Sequence, residues 1–337
     1  MPSPIPVTRL LPKDLCPSLD TGTCSSPLTK HSYGSTLQVP AQRLRGKVAV
    51  RLWSSVIHWK HLCSVQPVGS GGFGSVYKAE YFGETVALKK VKKCTKNKLA
   101  SQQSFWAELN AAHLRHKNIV RVIAATTCVP ADFGDEGSIG TILMEFVGRR
   151  NLQQIIYGGA EALGEDRWVR YSSDIVHGLR FLHSHSVVHL DIKPANVLVT
   201  SEDVCKIADF GCSFKLDPGY EVSAIRHQPL VGGTYTHRAP ELLKGEGVSP
   251  KADIFSFGIT LWQLLTREPP YTGDREHVLY AVVAYNLRPS VQDHPVFRSE
   301  SGRQFRGLLS QCWSGEPHCR PSAEELLSYL EQLRSKI

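Results

Sequence analysis

The sequence predicts an α+β fold in two lobes: a small antiparallel β-sheet lobe with one main helix, then a larger, mainly helical lobe. Three observations carry this expectation. Residues 57–147 alternate apolar and polar side chains around turn glycines, the period-two pattern of half-buried strands. After Asn151 the apolar residues fall at helical spacing. Within that second region "DIFSFGITLWQLLT" is apolar almost all round, which marks a helix at the centre of its lobe. Residues 1–55, rich in Pro, Ser and Thr with little periodicity, are expected to form a mostly disordered tail. That leaves 56–337 as the folded domain, with the lobes spanning about 57–147 and 148–337.

Taken in order, "VQPVGSGG" and "GSVYKAEYFGETVALKKV" read as strands joined by tight turns. "SQQSFWAELNAAHL" is helix-compatible, with Ser101 or Ser104 as expected N-caps. "NIVRVIAAT" and "GTILMEF" are short β-branched runs, joined by the polar loop "CVPADFGDEGSIG". "RWVRYSSDIVHGLRFLHSH" places Val169, Val176, Leu179 and Leu182 on one helical face. "SAEELLSYLEQLRSKI", with Pro321 near its start, is an amphipathic helix. No internal repeat is present, and the cleft between lobes is the expected ligand site.

Bulk properties narrow the function. A chain of 337 residues, 42% hydrophobic and 21% charged, has the composition of an ordinary soluble globular protein. It contains no apolar run long enough for a membrane span, and "MPSPIPVTRLLPKD" lacks the apolar stretch of a secretory signal. Nine cysteines, odd in number and without CxxC pairs, argue against a disulfide framework or a zinc site and for a reducing, cytoplasmic setting. The net charge of +8 invites a nucleic-acid reading, but residues 1–55 alone hold seven Lys/Arg against two Asp. The densest basic run, Lys89 to Lys98, has no interleaved aromatics and reads as a solvated loop. Neither nucleic acid nor membrane is therefore an expected partner, and a monomer is expected.

The chemistry is carried by separated motifs. Gly69, Gly71 and Gly74 form "GSGGFGSV"; alone, this pattern also marks dinucleotide folds or an ordinary hairpin turn. A dinucleotide fold needs a helix after the glycines, whereas "SVYKAEY" reads as a strand, and no Gly-Lys-Ser/Thr follows. The glycines then sit at the tip of a β-hairpin that can lie over phosphates. One strand on, "VALKK" supplies Lys89, which Glu108 on the next helix could pair and hold against a nucleotide's phosphates. "VVHLDIKPANVLV" sets Asp191, Lys193 and Asn196 between apolar runs, and "DFG" at 209–211 follows the short strand "VCKIA". One carboxylate, Asp209, and one amide oxygen, Asn196, suit Mg²⁺, a hard cation that keeps several waters. Asp191 remains to accept a substrate hydroxyl proton, and Lys193 to stabilise the transferring phosphoryl group. A second "DFG" at 132–134 follows no such strand and is read as surface loop.

In this order and spacing, with "APE" at 239–241, the set resembles the eukaryotic protein kinases over residues 57–335. The resemblance implies the two-lobed protein-kinase fold and an ATP- and Mg²⁺-dependent enzyme. It implies Gly69, Ser70, Gly71, Gly72, Phe73 and Gly74 over the phosphates, with Val68, Val76, Ala87 and Leu198 around adenine. Met144 would be the gatekeeper, and Glu145 and Val147 the hinge. Asp253 would anchor the catalytic loop, and Glu241 would pair with Arg320. Lys193 and Thr234 point to the serine/threonine class. Several segments, "DFGCSFKL" and "GGTYTHRAPELLKGEG" among them, resemble one branch of that class, the MAP kinase kinase kinases of vertebrate germ cells. That branch implies MAP kinase kinases as protein substrates and a role in oocyte meiotic maturation and metaphase II arrest.

Two departures stand out. Glu108 lies seven residues before Arg115, about one fewer than many kinases place there. Leu190 replaces the arginine of the usual "HRD", which normally grips a phosphate on the activation segment. With leucine there, segment 209–241 is expected to be ordered by packing alone. A scaffold without turnover is the rival reading; it would require the loss of Lys89, Asp191, Asn196 or Asp209, and all four are present.

Overall fold

In the computed structural model, the residues described are 56–71, 74–92, 98–130, 133, 138–159, 163–217, 233–292 and 294–335. The expected tail, Gly72, Phe73, Asp132 and most of the basic run after Lys92 lie outside them.

The small lobe is a five-stranded antiparallel sheet of order β1-β2-β3-β5-β4. Its members are β1 (Leu62–Gly71), β2 (Gly74–Tyr81), β3 (Glu84–Lys92), β4 (Val122–Thr126) and β5 (Ser138–Glu145), with helix α1 (Lys98–Asn110) between β3 and β4. Strand alternation gives the sheet two apolar faces. Val86 and Leu88 point to one, where Ile57, Leu62 and Tyr81 pack with Trp59 and Phe133 against them. Val91 points to the other, packing with Phe105 of α1 and with Ile142.

The large lobe begins with β6 (Arg150–Asn151), α2 (Leu152–Tyr157) and α3 (Glu165–Ser184). Short strands β7 (Val187–Val188), β8 (Val197–Val199), β9 (Cys205–Ile207) and β10 (Phe214–Lys215) bracket the motif loops. Helices α4 (Pro240–Leu243), α5 (Lys251–Thr266), α6 (Arg275–Ala284), α7 (Glu300–Cys312) and α8 (Ala323–Arg334) complete it. As its all-round apolarity predicts, α5 is buried from Ala252 to Thr266 and forms the axis of the largest core. Helix α8 opens with a capping box in which Ser322 and Glu325 satisfy each other's backbone N–H.

Two local expectations change. Helix α1 starts at Lys98, so Ser101 and Ser104 lie inside it and are buried rather than capping it. Tertiary contact decides this: Ser104 faces the DFG segment, where its hydroxyl occupies the space a side chain at Gly211 would need. The run "NIVRVIAAT" is also not one strand. Its first part bonds to β9 in the large lobe, Val120 N–H to Ile207 O at 2.9 Å and Ile207 N–H to Asn118 O at 2.8 Å. Only Val122–Thr126 joins the small-lobe sheet.

Among the described residues of the large lobe, Arg320 and Glu241 form a buried bidentate ion pair. Arg320, 1% exposed, donates from both terminal nitrogens to Glu241, 3% exposed, at 2.7 Å each. Its Nε donates to Ser314 O at 2.9 Å, and the guanidinium lies 5.1 Å over the Phe255 ring. Removing one partner strands a desolvated charge on the other. Arg320→Met is expected to cost about 3–5 kcal/mol in urea unfolding, and adding Glu241→Gln to recover part of it. Equal stability of Arg320→Met and wild type would contradict this account of the pair.

Candidate active site

The site is assembled from both lobes. In β3, Ala87 and Lys89 share a face because strand side chains alternate. Directly opposite residues in antiparallel neighbours point the same way, so Val76 (opposite Lys89) and Met144 (opposite Ala87) join them. Lys90 points to the other face, where its Nζ donates to Phe133 O at 2.5 Å and lies over the Tyr77 ring. Gly69 and Gly71 have open space where a side chain would stand, whereas Gly74 is pressed against the Lys90 carbonyl. Gly69 and Gly71 thus leave room beside β1, while Gly74, paired with Gly71, is tightly packed.

Lys89 is the central cation. Its Nζ donates to Glu108 Oε2 at 2.6 Å and to Asp209 Oδ1 at 2.8 Å, linking β3, α1 and the DFG segment. Burial works against its charge, but the two carboxylates outweigh burial and raise its pKa above the ordinary lysine value. Burial would likewise raise the Asp209 carboxyl, yet the Lys89 ammonium holds it below the usual carboxylate range. The short Glu108–Arg115 spacing therefore does not prevent the pair. Arg115 turns back to donate to Ala112 O and Leu114 O, closing the helix end locally.

The Asp191 loop hangs from α5. Asp253, fully buried, accepts from His189 N–H and Leu190 N–H at 2.8 Å each, and contacts the His183 ring at 3.0 Å. Leu190 adopts left-handed backbone (φ 64°) and buries its side chain in the core. Asp191 is then surrounded by donors. Thr234 gives its N–H and hydroxyl to Oδ1 at 2.8 and 2.9 Å, and Lys193 Nζ and Asn196 Nδ2 donate to Oδ2 at 2.8 Å each. Lys193 also donates to Thr234 Oγ1 at 2.6 Å. The loop and DFG segment are tied by Asn196 O, which accepts from Ala208 N–H, and by the His189 ring, 5.0 Å from that of Phe210.

The donor set fits a hard cation. Asn196 spends its NH₂ on Asp191 O and Oδ2, which leaves the amide oxygen as an acceptor. Asp209 is the least enclosed carboxylate of the group, its side chain 35% exposed. A carboxylate and an amide oxygen suit Mg²⁺, which completes its shell with water and phosphate oxygens. Near this carboxylate, burial and then Asp191 and Asp209 push the Cys212 thiol up to about 12, which disfavours its thiolate.

Several contacts were not expected from the sequence. Phe133, in the second "DFG", stacks 5.2 Å from Trp59 and so serves the small-lobe core; its neighbour Asp132 lies outside the described residues. His237 is buried, its ring 2.7 Å from Gln263 Oε1, and Gln263 in turn donates to Tyr157 OH. Only the polar character of Thr236-His237-Arg238 before "APE" could have signalled this network.

These elements define a class. A family profile described as "Protein kinase domain" matches residues 63–330, and the chain belongs to that family. Among individual proteins, it is 55% identical to the Serine/threonine-protein kinase mos of Xenopus laevis over 341 residues, covering 98% of this chain and 93% of that one. It is 51% identical to its Gallus gallus counterpart over the whole of both chains, and 50% to the Proto-oncogene serine/threonine-protein kinase mos of Sus scrofa.

His237 yields a pH prediction. Burial lowers its pKa from 6.5 to about 4 despite the Gln263 bond. The unfolded chain therefore binds this proton first, and the stability from the neutral ring is full above pH 6.5 and falls as pH drops toward 4. By pH 5.5 the loss should be about 1.4 kcal/mol from this group. Urea unfolding at pH 7.5 and 5.5 should show His237→Gln losing less than wild type on acidification. Equal losses in both proteins would remove His237 as the cause.

Proposed function

We propose that this protein acts as a MAP kinase kinase kinase, transferring the γ-phosphate of ATP, with Mg²⁺, to serine or threonine hydroxyls of MAP kinase kinases. The enzyme class, serine/threonine protein kinase, is that of the family and of the mos relatives. The finer reading rests on the germ-cell segments quoted above, which also support a role in oocyte meiotic maturation and arrest. No helix among the described residues is long and apolar enough to cross a membrane, which is compatible with a cytoplasmic setting. One observation carries the catalytic reading: a buried Lys89 bridges Glu108 and Asp209 beside an Asp191 held by four donors.

In this reading ATP lies under the glycine hairpin, its adenine between Val68, Val76, Ala87 and Leu198. Met144 borders the pocket, and Glu145 and Val147 offer backbone groups at its rim. The Glu145 carboxylate is already engaged with Arg121 N–H and Lys206, which fixes the rim in place. Lys89 orients the phosphates. Asp209 and Asn196 would hold Mg²⁺, whose charge offsets that on the phosphate oxygens.

The donors on Asp191 differ in freedom. Thr234 donates partly through backbone, and Asn196 is buried, but the Lys193 side chain is 23% exposed and is the one that can leave. As Lys193 turns to the transferring phosphoryl group, Asp191 Oδ2 gains a free acceptor site. The incoming hydroxyl donates there, is oriented for in-line attack, and yields its proton to that oxygen as its bond to the γ-phosphorus forms and the bond from that phosphorus to the β-phosphate oxygen breaks, with ADP leaving.

Lys89→Arg and Asp209→Asn should each lower phosphate transfer by at least about a hundredfold while leaving a folded protein, since arginine keeps charge but not the compact ammonium. Lys90→Ala should keep most activity. Phosphosite mapping on a catalytically inactive MAP kinase kinase incubated with purified protein, ATP and Mg²⁺ checks both levels. Serine or threonine phosphates absent with Lys89→Arg support the proposal. An active Lys89→Ala beside an inactive Lys90→Ala would refute the lysine assignment, and phosphorylation of other proteins but no MAP kinase kinase would refute the substrate.

A further inference from the structure

Gly233 and Thr234 form the point where the activation segment meets Asp191. Gly233 has φ +90°, a conformation side chains disfavour. A Cβ at this position would lie 2.9 Å from Leu190 O, 3.6 Å from Arg238 Nη2 and 3.8 Å from Arg238 Nε. A side chain here would thus press on the catalytic-loop carbonyl and touch the Arg238 guanidinium, so the turn packs close to both. The next residue, Thr234, makes two bonds to Asp191 Oδ1. A small shift of Gly233 would break both, because hydrogen bonds weaken steeply with distance and angle.

Arg238 is well placed to prevent that shift. The residue before it is clamped: His237 O accepts from Ser256 Oγ at 2.8 Å, and its ring meets Gln263. After it, Ala239 is fully buried, and Glu241 is held by Arg320. With the backbone fixed on both sides, the long side chain reaches back over the turn to Gly233. Burial works against its charge, and the nearby Arg275 does too, while Asp191 favours it. A guanidinium tolerates this better than an ammonium, because it is planar and weakly hydrated.

We infer that Arg238 is a positioning residue: its guanidinium, lying against Gly233, keeps Thr234 on Asp191 in a catalytic loop whose position 190 carries no arginine. The inference rests on Asp191 being the reactive aspartate of the proposed function, and it adds a residue to that site.

The test separates positioning from turnover. In the full-length chain, amide-resolved hydrogen exchange reads the Thr234 N–H bonded to Asp191 and, as an internal control, the Leu190 N–H bonded to Asp253. Arg238→Ala should speed exchange at Thr234 by about tenfold or more and leave Leu190 unchanged. With a protein substrate, kcat should drop about tenfold while KM for ATP stays within about threefold. Arg238→Lys keeps length and charge but not the flat face, and should fall between the two. If melting shows that Arg238→Ala does not fold, Arg238→Lys decides by the same readings. Unchanged Thr234 exchange in the folded variant overturns the inference. So does a kcat loss that tracks lost nucleotide affinity. If wild type itself shows no turnover, the Asp191 reading falls, and the exchange arm still decides whether Arg238 holds Thr234.

Discussion

The structure depends on the Asp253 carboxylate. It is fully buried on a helix buried along nearly its whole length, and it accepts two backbone N–H groups from the loop carrying Asp191. Leu190 sits in the left-handed region, which costs a non-glycine residue about 1–3 kcal/mol. Charge-assisted bonds to a desolvated carboxylate, worth roughly 1.5–3 kcal/mol each, can offset that cost. The strained turn delivers Asp191 into the cleft while the Leu190 side chain stays in the core. A loop without such an anchor would relax, and the four donors around Asp191 would have no common target.

From this anchor the site extends through short, strong contacts. Asn196 ties Asp191 to the strand leading into the DFG segment, and Asp209 ties that segment to Lys89 and so to the small lobe. Glu108 pairs with Lys89 from α1, whose inner face is pressed on Gly211 through Ser104. None of these contacts uses a phosphate. Leucine at 190 fits this logic: an arginine there would bring a charge that needs its own partner, whereas leucine adds apolar packing. The described end of the activation segment is tied to the rest of the large lobe by the His237–Gln263 bond and the Glu241–Arg320 pair.

Much of this was legible in the sequence because the groups are set by local pattern. Alternation in "VALKK" fixes which lysine faces the cleft, and all-round apolarity fixes α5 as the axis. Family resemblance supplied the pairing of Asp253 with the loop and of Glu241 with Arg320, which no local pattern reveals. What stayed hidden depends on contacts distant in sequence. Ser101 and Ser104 have N-cap chemistry, but both are buried inside α1, Ser104 against the DFG segment. Phe133 sits in a polar loop, yet Trp59 gives it a core position. Arg238 looks like a surface charge until Gly233 is seen beneath it.

The central claim is that the site is assembled by contacts internal to the chain, with no phosphate on the activation segment. Its most direct test is turnover of purified protein carrying no phosphate at 212–238, made by changing Ser213, Ser223 and Thr236 to alanine. The account predicts activity within about tenfold of the phosphorylated wild type, a difference under about 1.4 kcal/mol of barrier. A larger loss, reversed when the wild type is phosphorylated in that segment, would contradict it.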